Sequence, residues 1–152
     1  KKIRTGRTVY FTSQDLKSWD FKGDFWAPDL FYMHEMPDIF KLGDYWYLLT
    51  TEYSDKSKTI YRMSKSLAGP WLAPVDDAFD GSAYYAARSY SDGERRYLFG
   101  WVPTKEDNDD ARSWQWGGTL VVHEVYQRTD GTLGVKPPVG VVRSPIGAFD
   151  ST

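Results

Sequence analysis

TVYFTSQDLKSW (residues 8–19) and TIYRMSKSLAGPW (residues 59–71) are two versions of one pattern. Tyr10, Ser13 and Leu16 of the first recur as Tyr61, Ser64 and Leu67 of the second, and a tryptophan closes each copy, Trp19 and Trp71. A second echo sets Gly43 and Tyr47-Leu48 against Gly93 and Tyr97-Leu98. Both recurrences fall about 50 residues apart, the period of four-stranded blades in a β-propeller.

The segments around these copies agree with that reading. Short β-branched and aromatic runs at Thr8–Thr12, Asp44–Thr51, Thr59–Met63, Arg96–Val102 and Thr119–Tyr126 predict strands. Turns are predicted at Lys22-Gly23-Asp24, Leu42-Gly43-Asp44, Gly69-Pro70, Asp92-Gly93 and Asp130-Gly131. Long helical periodicity is absent, so the fold class is all-β. A propeller closes with about 4 to 8 blades, and 152 residues at this period supply about three. The first copy begins on an outer strand, and Lys1-Lys2-Ile3 does not resemble a natural start. We therefore expect residues 1–152 to form part of a catalytic propeller domain, with open blade edges that favour self-association.

Composition narrows the function. With 19 Lys+Arg against 21 Asp+Glu, the charge balance gives no reason to expect nucleic acid or an anionic membrane as a partner. No apolar run approaches the length of a membrane span. The chain has no cysteine, which removes disulfides, thiolate metal sites and a cysteine nucleophile. Two histidines, His34 and His123, do not make a zinc site, and each is expected to pack or hydrogen-bond locally. The acidic stretch Glu106–Asp110 lacks the spacing and glycine of a calcium loop and is expected to be a solvated loop. No metal or cofactor is expected. Aromatic residues make up 17% of the chain, including 7 Trp and 11 Tyr, which suits either stacking on sugar rings or filling sheets.

Residues 25–40, FWAPDLFYMHEMPDIF, set Asp29, Glu35 and Asp38 among Trp26, Phe31, Tyr32 and Phe40. Desolvation in such a setting pushes a carboxyl group toward its neutral form, as a proton donor to a glycosidic oxygen requires. Pro37 stiffens the turn just after Glu35. From spacing alone, Glu35 or Asp38 could equally cap a turn or pair with an arginine.

HEMPD (34–38), followed by IFKLGDYWYLL, resembles the acid/base motif of glycoside hydrolase family 32, the invertases, levanases and inulinases, where a Glu-Cys-Pro-Asp segment is usual. AYYAARSYSDGERRYLFGWV (83–102) is similar to that family's Tyr-Ala-rich and Gly-Trp strands. WQWGGTLVVHEVYQRTDGTLGVKPP (114–138) resembles its Trp-Ala-Gly segment. The likeness runs in order over residues 5 to 138. It implies a five-bladed propeller with an axial funnel, and retaining hydrolysis of β-fructofuranosides such as sucrose and fructo-oligosaccharides. It assigns Glu35 the general acid/base role, places Asp80 and Trp116 at the sugar, and adds Trp26 with less support.

Departures accompany the match. Met36 stands where cysteine is usual, and Ala83 where some members carry Lys or His. Nothing matches the family's Asn-Asp-Pro nucleophile motif or its Arg-Asp-Pro motif. Asp38 is expected to be structural, and the isolated chain to be inactive. Two other readings stay open: a family 43 arabinanase or xylosidase propeller, for which WAPD (26–29) would suit, and a carbohydrate-binding remnant without catalysis.

Overall fold

A computed structural model describes residues 5–30, 32–53, 57–79, 81 and 83–140. They form nine strands in three antiparallel sheets. The first sheet pairs β1 (Thr8–Thr12) with β2 (Asp20–Trp26). The second runs β3 (Met33–Leu42), β4 (Tyr45–Tyr53), β5 (Lys58–Ser64), and the third β6 (Tyr85–Ser91), β7 (Arg96–Lys105), β8 (Trp114–Gln127), β9 (Leu133–Lys136).

The repeat explains this order. Tyr10 lies on β1 and Tyr61 on β5, so β1–β2 are the outer strands of one blade and β5 the third strand of the next. Leu72 completes that next blade by a two-way backbone bridge to Met63, at 2.8 and 2.9 Å. The second echo falls on the turns that open each full blade. Gly43 (φ 56°) sits in the two-residue turn between Leu42 and Tyr45, and Gly93 (φ 102°) in the loop between Ser91 and Arg96. Asp15 and Asp92 fasten two turns by accepting backbone N–H groups two and three residues on, and Asp130 a third by accepting the Thr132 N–H and hydroxyl, which holds each carboxyl below its ordinary range.

One predicted turn is not a turn. Gly23 (φ 108°) lies inside β2, where Tyr10 pairs with Gly23 and Phe11 with Phe21. The extra residue makes a bulge, and a glycine takes the left-handed backbone there without a Cβ clash.

The core lies between the second and third sheets. Phe40, Tyr47, Leu49, Tyr61, Phe79, Tyr84, Leu98, Val125 and Leu133 form one buried cluster. Strands β4 and β5 are buried on both faces, and polar residues are buried there with the apolar ones: Thr50 and Thr51 on β4, Thr59, Arg62 and Ser64 on β5. Tyrosines fill this core because their hydroxyls reach backbone acceptors and donors, Tyr84 within the third sheet and Tyr61 across the boundary between the second and third. Tyr84 donates to the carbonyls of Leu98 and Val121, and Tyr61 accepts the Leu133 N–H at 3.0 Å.

Burial raises the pKa of Tyr47, Tyr61 and Tyr85 above the ordinary value near 10. The folded state therefore keeps protons that the unfolded chain releases. The stability tied to these groups is complete below pH ~10 and falls as pH rises past it toward the folded values. We expect melting temperatures to drop between pH 10 and 11; a rise across that interval would refute the burial assigned to these hydroxyls.

Candidate active site

Two bulges build the candidate site. On β3, Glu35 pairs with Thr51 and Asp38 with Leu49, so three steps on one strand face two on the other. Met36 takes up the extra residue with φ 53°, and Pro37 has no N–H to miss from the ladder. On β6, Tyr85 pairs with Trp101 and Arg88 with Phe99, and Ala86 (φ 51°) is the residue in excess. Both bulges tip the residue just before them into a cleft of about 560 Å³ lined by Glu35, Met36, Tyr53, Tyr85, Ala86, Trp101 and Trp116.

Three of these seven residues, Met36, Ala86 and Trp116 (φ 23°), are non-glycine residues with positive φ. Each costs on the order of 1 kcal/mol. Such backbone survives where surrounding structure holds it, and it gathers at binding and catalytic sites.

Glu35 is half-buried, and its backbone carbonyl accepts the Thr50 hydroxyl at 3.0 Å. Its Oε2 accepts a short hydrogen bond from the Tyr85 hydroxyl. Tyr85 is itself buried, its ring 4.8 Å from Trp116 and 5.4 Å from Trp101. Desolvation first, then the hydrogen bond to Glu35 and its charge, lift the Tyr85 hydroxyl far above its ordinary pKa. It therefore stays a donor at neutral pH.

Trp116 enters the cleft on β8 at 40% exposure, with Tyr53 at 6.5 Å and Trp114 at 6.2 Å. The neighbouring Gly118 lets β8 come close to β7, since a Cβ there would lie 2.1 Å from the Val102 carbonyl oxygen.

Among the described residues, the others singled out in the sequence fall elsewhere. Asp38 turns away to the blade boundary, where its Oδ2 accepts the Ser89 N–H at 2.7 Å and the Ser89 hydroxyl at 2.6 Å. Arg96 supports the same hydroxyl at 2.7 Å, so Asp38 ties β3 to β6. Trp26 is buried, with the His34 ring at 4.7 Å and the Arg62 guanidinium at 5.5 Å, and is not among the residues lining the cleft. Desolvation, then the Arg62 charge, keep His34 below its ordinary pKa, and His123 packs edge-on against Tyr84. Glu106–Asn108 form an exposed 3₁₀ turn. Asp80 lies outside the described residues. Sequence reasoning missed Tyr53, Tyr85 and Trp101 as cleft residues. The blade period held the signal for two of them, since Tyr85 and Trp101 stand 50 positions after Glu35 and Thr51.

Comparisons with known proteins bear on this geometry. The chain is 28% identical to the sucrose-6-phosphate hydrolase of Vibrio alginolyticus, over 94% of this chain and 33% of that protein. It is 26% identical to the Staphylococcus xylosus protein of the same name, over 88% of this chain and 30% of the other. The chain thus spans about a third of the length of these curated relatives. Among solved structures, one titled a glycoside hydrolase superposes with TM-score 0.59 at 22% identity, covering 82% of this chain and 29% of its own. An endo-arabinase from Bacteroides thetaiotaomicron superposes with TM-score 0.57 at 20% identity, covering 87% and 46%. The three sheets and these likenesses make the fold about three blades of a five-bladed β-propeller. Residues 1–137 match the N-terminal domain of glycosyl hydrolases family 32, and the chain belongs to that family.

Proposed function

We propose that this chain supplies the general acid/base, Glu35, for retaining hydrolysis of β-fructofuranosides such as sucrose and short fructans. The observation that carries the reading is the place of Glu35. It is the one carboxylate among the described residues lining an aromatic cleft, and the bulge at Met36 aims it there. The names of the curated relatives point to a sucrose-derived carbohydrate substrate.

In this scheme Glu35 donates its proton to the oxygen between fructose and the leaving sugar as that bond breaks. A second carboxylate attacks the anomeric carbon and forms a covalent fructosyl ester. Glu35, now ionised, takes a proton from water, which opens the ester and regenerates both groups. Retention needs the two carboxyls ~5–5.5 Å apart. No second carboxylate lines the cleft among the described residues, so we assign the nucleophile to a segment beyond them. The 152-residue chain incubated alone with sucrose is then expected to release no fructose; fructose release by that chain would overturn this assignment.

Trp116 offers an exposed indole face beside Glu35 for a sugar ring. Trp116→Ala in the full-length polypeptide should raise KM for sucrose about tenfold, the equivalent of roughly 1.4 kcal/mol. Equal KM values for the two proteins would remove Trp116 from the binding surface.

A further inference from the structure

We infer that Met36 is a site of reversible oxidation, at which a peroxide converts the thioether to a sulfoxide and slows hydrolysis. This rests on the reading of the cleft around Glu35 as the active site. Position supplies the first argument. Met36 follows Glu35 directly and lines the same cleft, at 41% exposure. The chain has two other methionines and no cysteine. Met63 is 8% exposed in the core cluster, and Met33 is half-buried. Met36 is thus the sulfur in these 152 residues most open to a small oxidant. The bulge holds it there. Glu35 and Asp38, on either side, pair with Thr51 and Leu49, and Asp38 is anchored to Ser89 at 2.6 and 2.7 Å. Between these anchors the Met36 backbone is fixed at φ 53°, and its side chain stays in the cleft wall.

The second argument is chemical. A sulfur lone pair attacks one oxygen of the peroxide, and the S–O bond forms as the O–O bond breaks. The proton of the attacked oxygen passes to the other, which leaves as water or an alcohol. Sulfur is oxidised by two electrons and the peroxide is reduced by them. A polar sulfoxide now stands where an apolar thioether stood. The wall around Met36 includes Tyr53, Ala86, Trp101 and Trp116, surfaces that a sugar ring must dry on binding. A sulfoxide oxygen there holds water that the substrate has to displace. A thiol-dependent methionine sulfoxide reductase reverses the change: the oxygen leaves as water, the thiols become a disulfide, and the thioether returns.

The test exposes the full-length polypeptide to hydrogen peroxide and follows sucrose hydrolysis together with the mass of each methionine peptide. Met36 should gain one oxygen atom before Met33 and Met63 do. Once Met36 is fully oxidised, kcat/KM should have fallen about tenfold. Methionine sulfoxide reductases A and B with dithiothreitol should then return both the peptide mass and the rate. Met36→Leu, compared with its own untreated rate, should keep that rate through the same exposure. An undiminished rate with Met36 oxidised, an equal loss in Met36→Leu, or earlier oxidation of Met63 would overturn the inference. Should the Leu variant fail to fold, the repair arm decides alone: a rate that stays low after Met36 is reduced again overturns it. Full turnover by Glu35→Gln would instead sink the reading of the cleft as the active site, and oxidation of Met36 would still register by mass, so the two failures are distinct.

Discussion

Glu35→Gln in the full-length polypeptide is expected to lower kcat on sucrose about 10³-fold while leaving KM close to wild type. The glutamine matches glutamate in shape, and its amide oxygen can still accept the Tyr85 hydroxyl, so the cleft keeps its form. What disappears is the proton. A sugar alkoxide is a poor leaving group without one, and general acid catalysis supplies about 10²–10⁴ of the rate. A 10³-fold loss corresponds to about 4 kcal/mol of transition-state stabilisation. Thermal melting should be nearly the same for both proteins, which separates the chemical loss from unfolding.

The largest stability effect is expected at Tyr47. This residue is fully buried on β4, stacked on Phe40 at 5.4 Å and close to Tyr61 at 6.2 Å. Its hydroxyl crosses the blade boundary to donate to the Gly131 carbonyl at 2.5 Å, and it accepts from the Gln127 amide, which also donates to the Leu42 carbonyl at 2.8 Å. Tyr47→Ala leaves a ring-sized cavity and unpaired groups on both blades. We expect a loss of about 4 kcal/mol, read as a lower urea midpoint with an unchanged slope. Tyr47→Phe keeps the ring and should lose about 1 kcal/mol. An Ala variant as stable as the Phe variant would contradict the packing described for this boundary.

The blade plan was legible because it rests on repetition and local turn chemistry. Strand β1 matches its predicted span, and β4, β5, β7 and β8 lie where the aromatic and β-branched runs placed them. Strands β2, β3, β6 and β9 were not picked out by those runs. In β3, HEMPD is polar and interrupted by proline, and in β6, YAARSYS is small and polar; each is a strand because its neighbour supplies the ladder. The site followed the same division. Glu35 and Trp116 were visible through motif and residue type. The contact between Glu35 and Tyr85 spans 50 residues and depends on paired bulges, which alternation of side chains does not reveal.

The proton transfer assigned to Glu35 can be isolated by changing the leaving group. Wild-type and Glu35→Gln polypeptides should be compared on sucrose and on an aryl β-fructofuranoside whose phenolate departs without protonation. The account predicts a loss of about 10³-fold on sucrose and a nearly unimpaired initial burst of phenolate from the aryl substrate. Equal losses on the two substrates would contradict it, since a residue that does not protonate the departing oxygen has no reason to distinguish them.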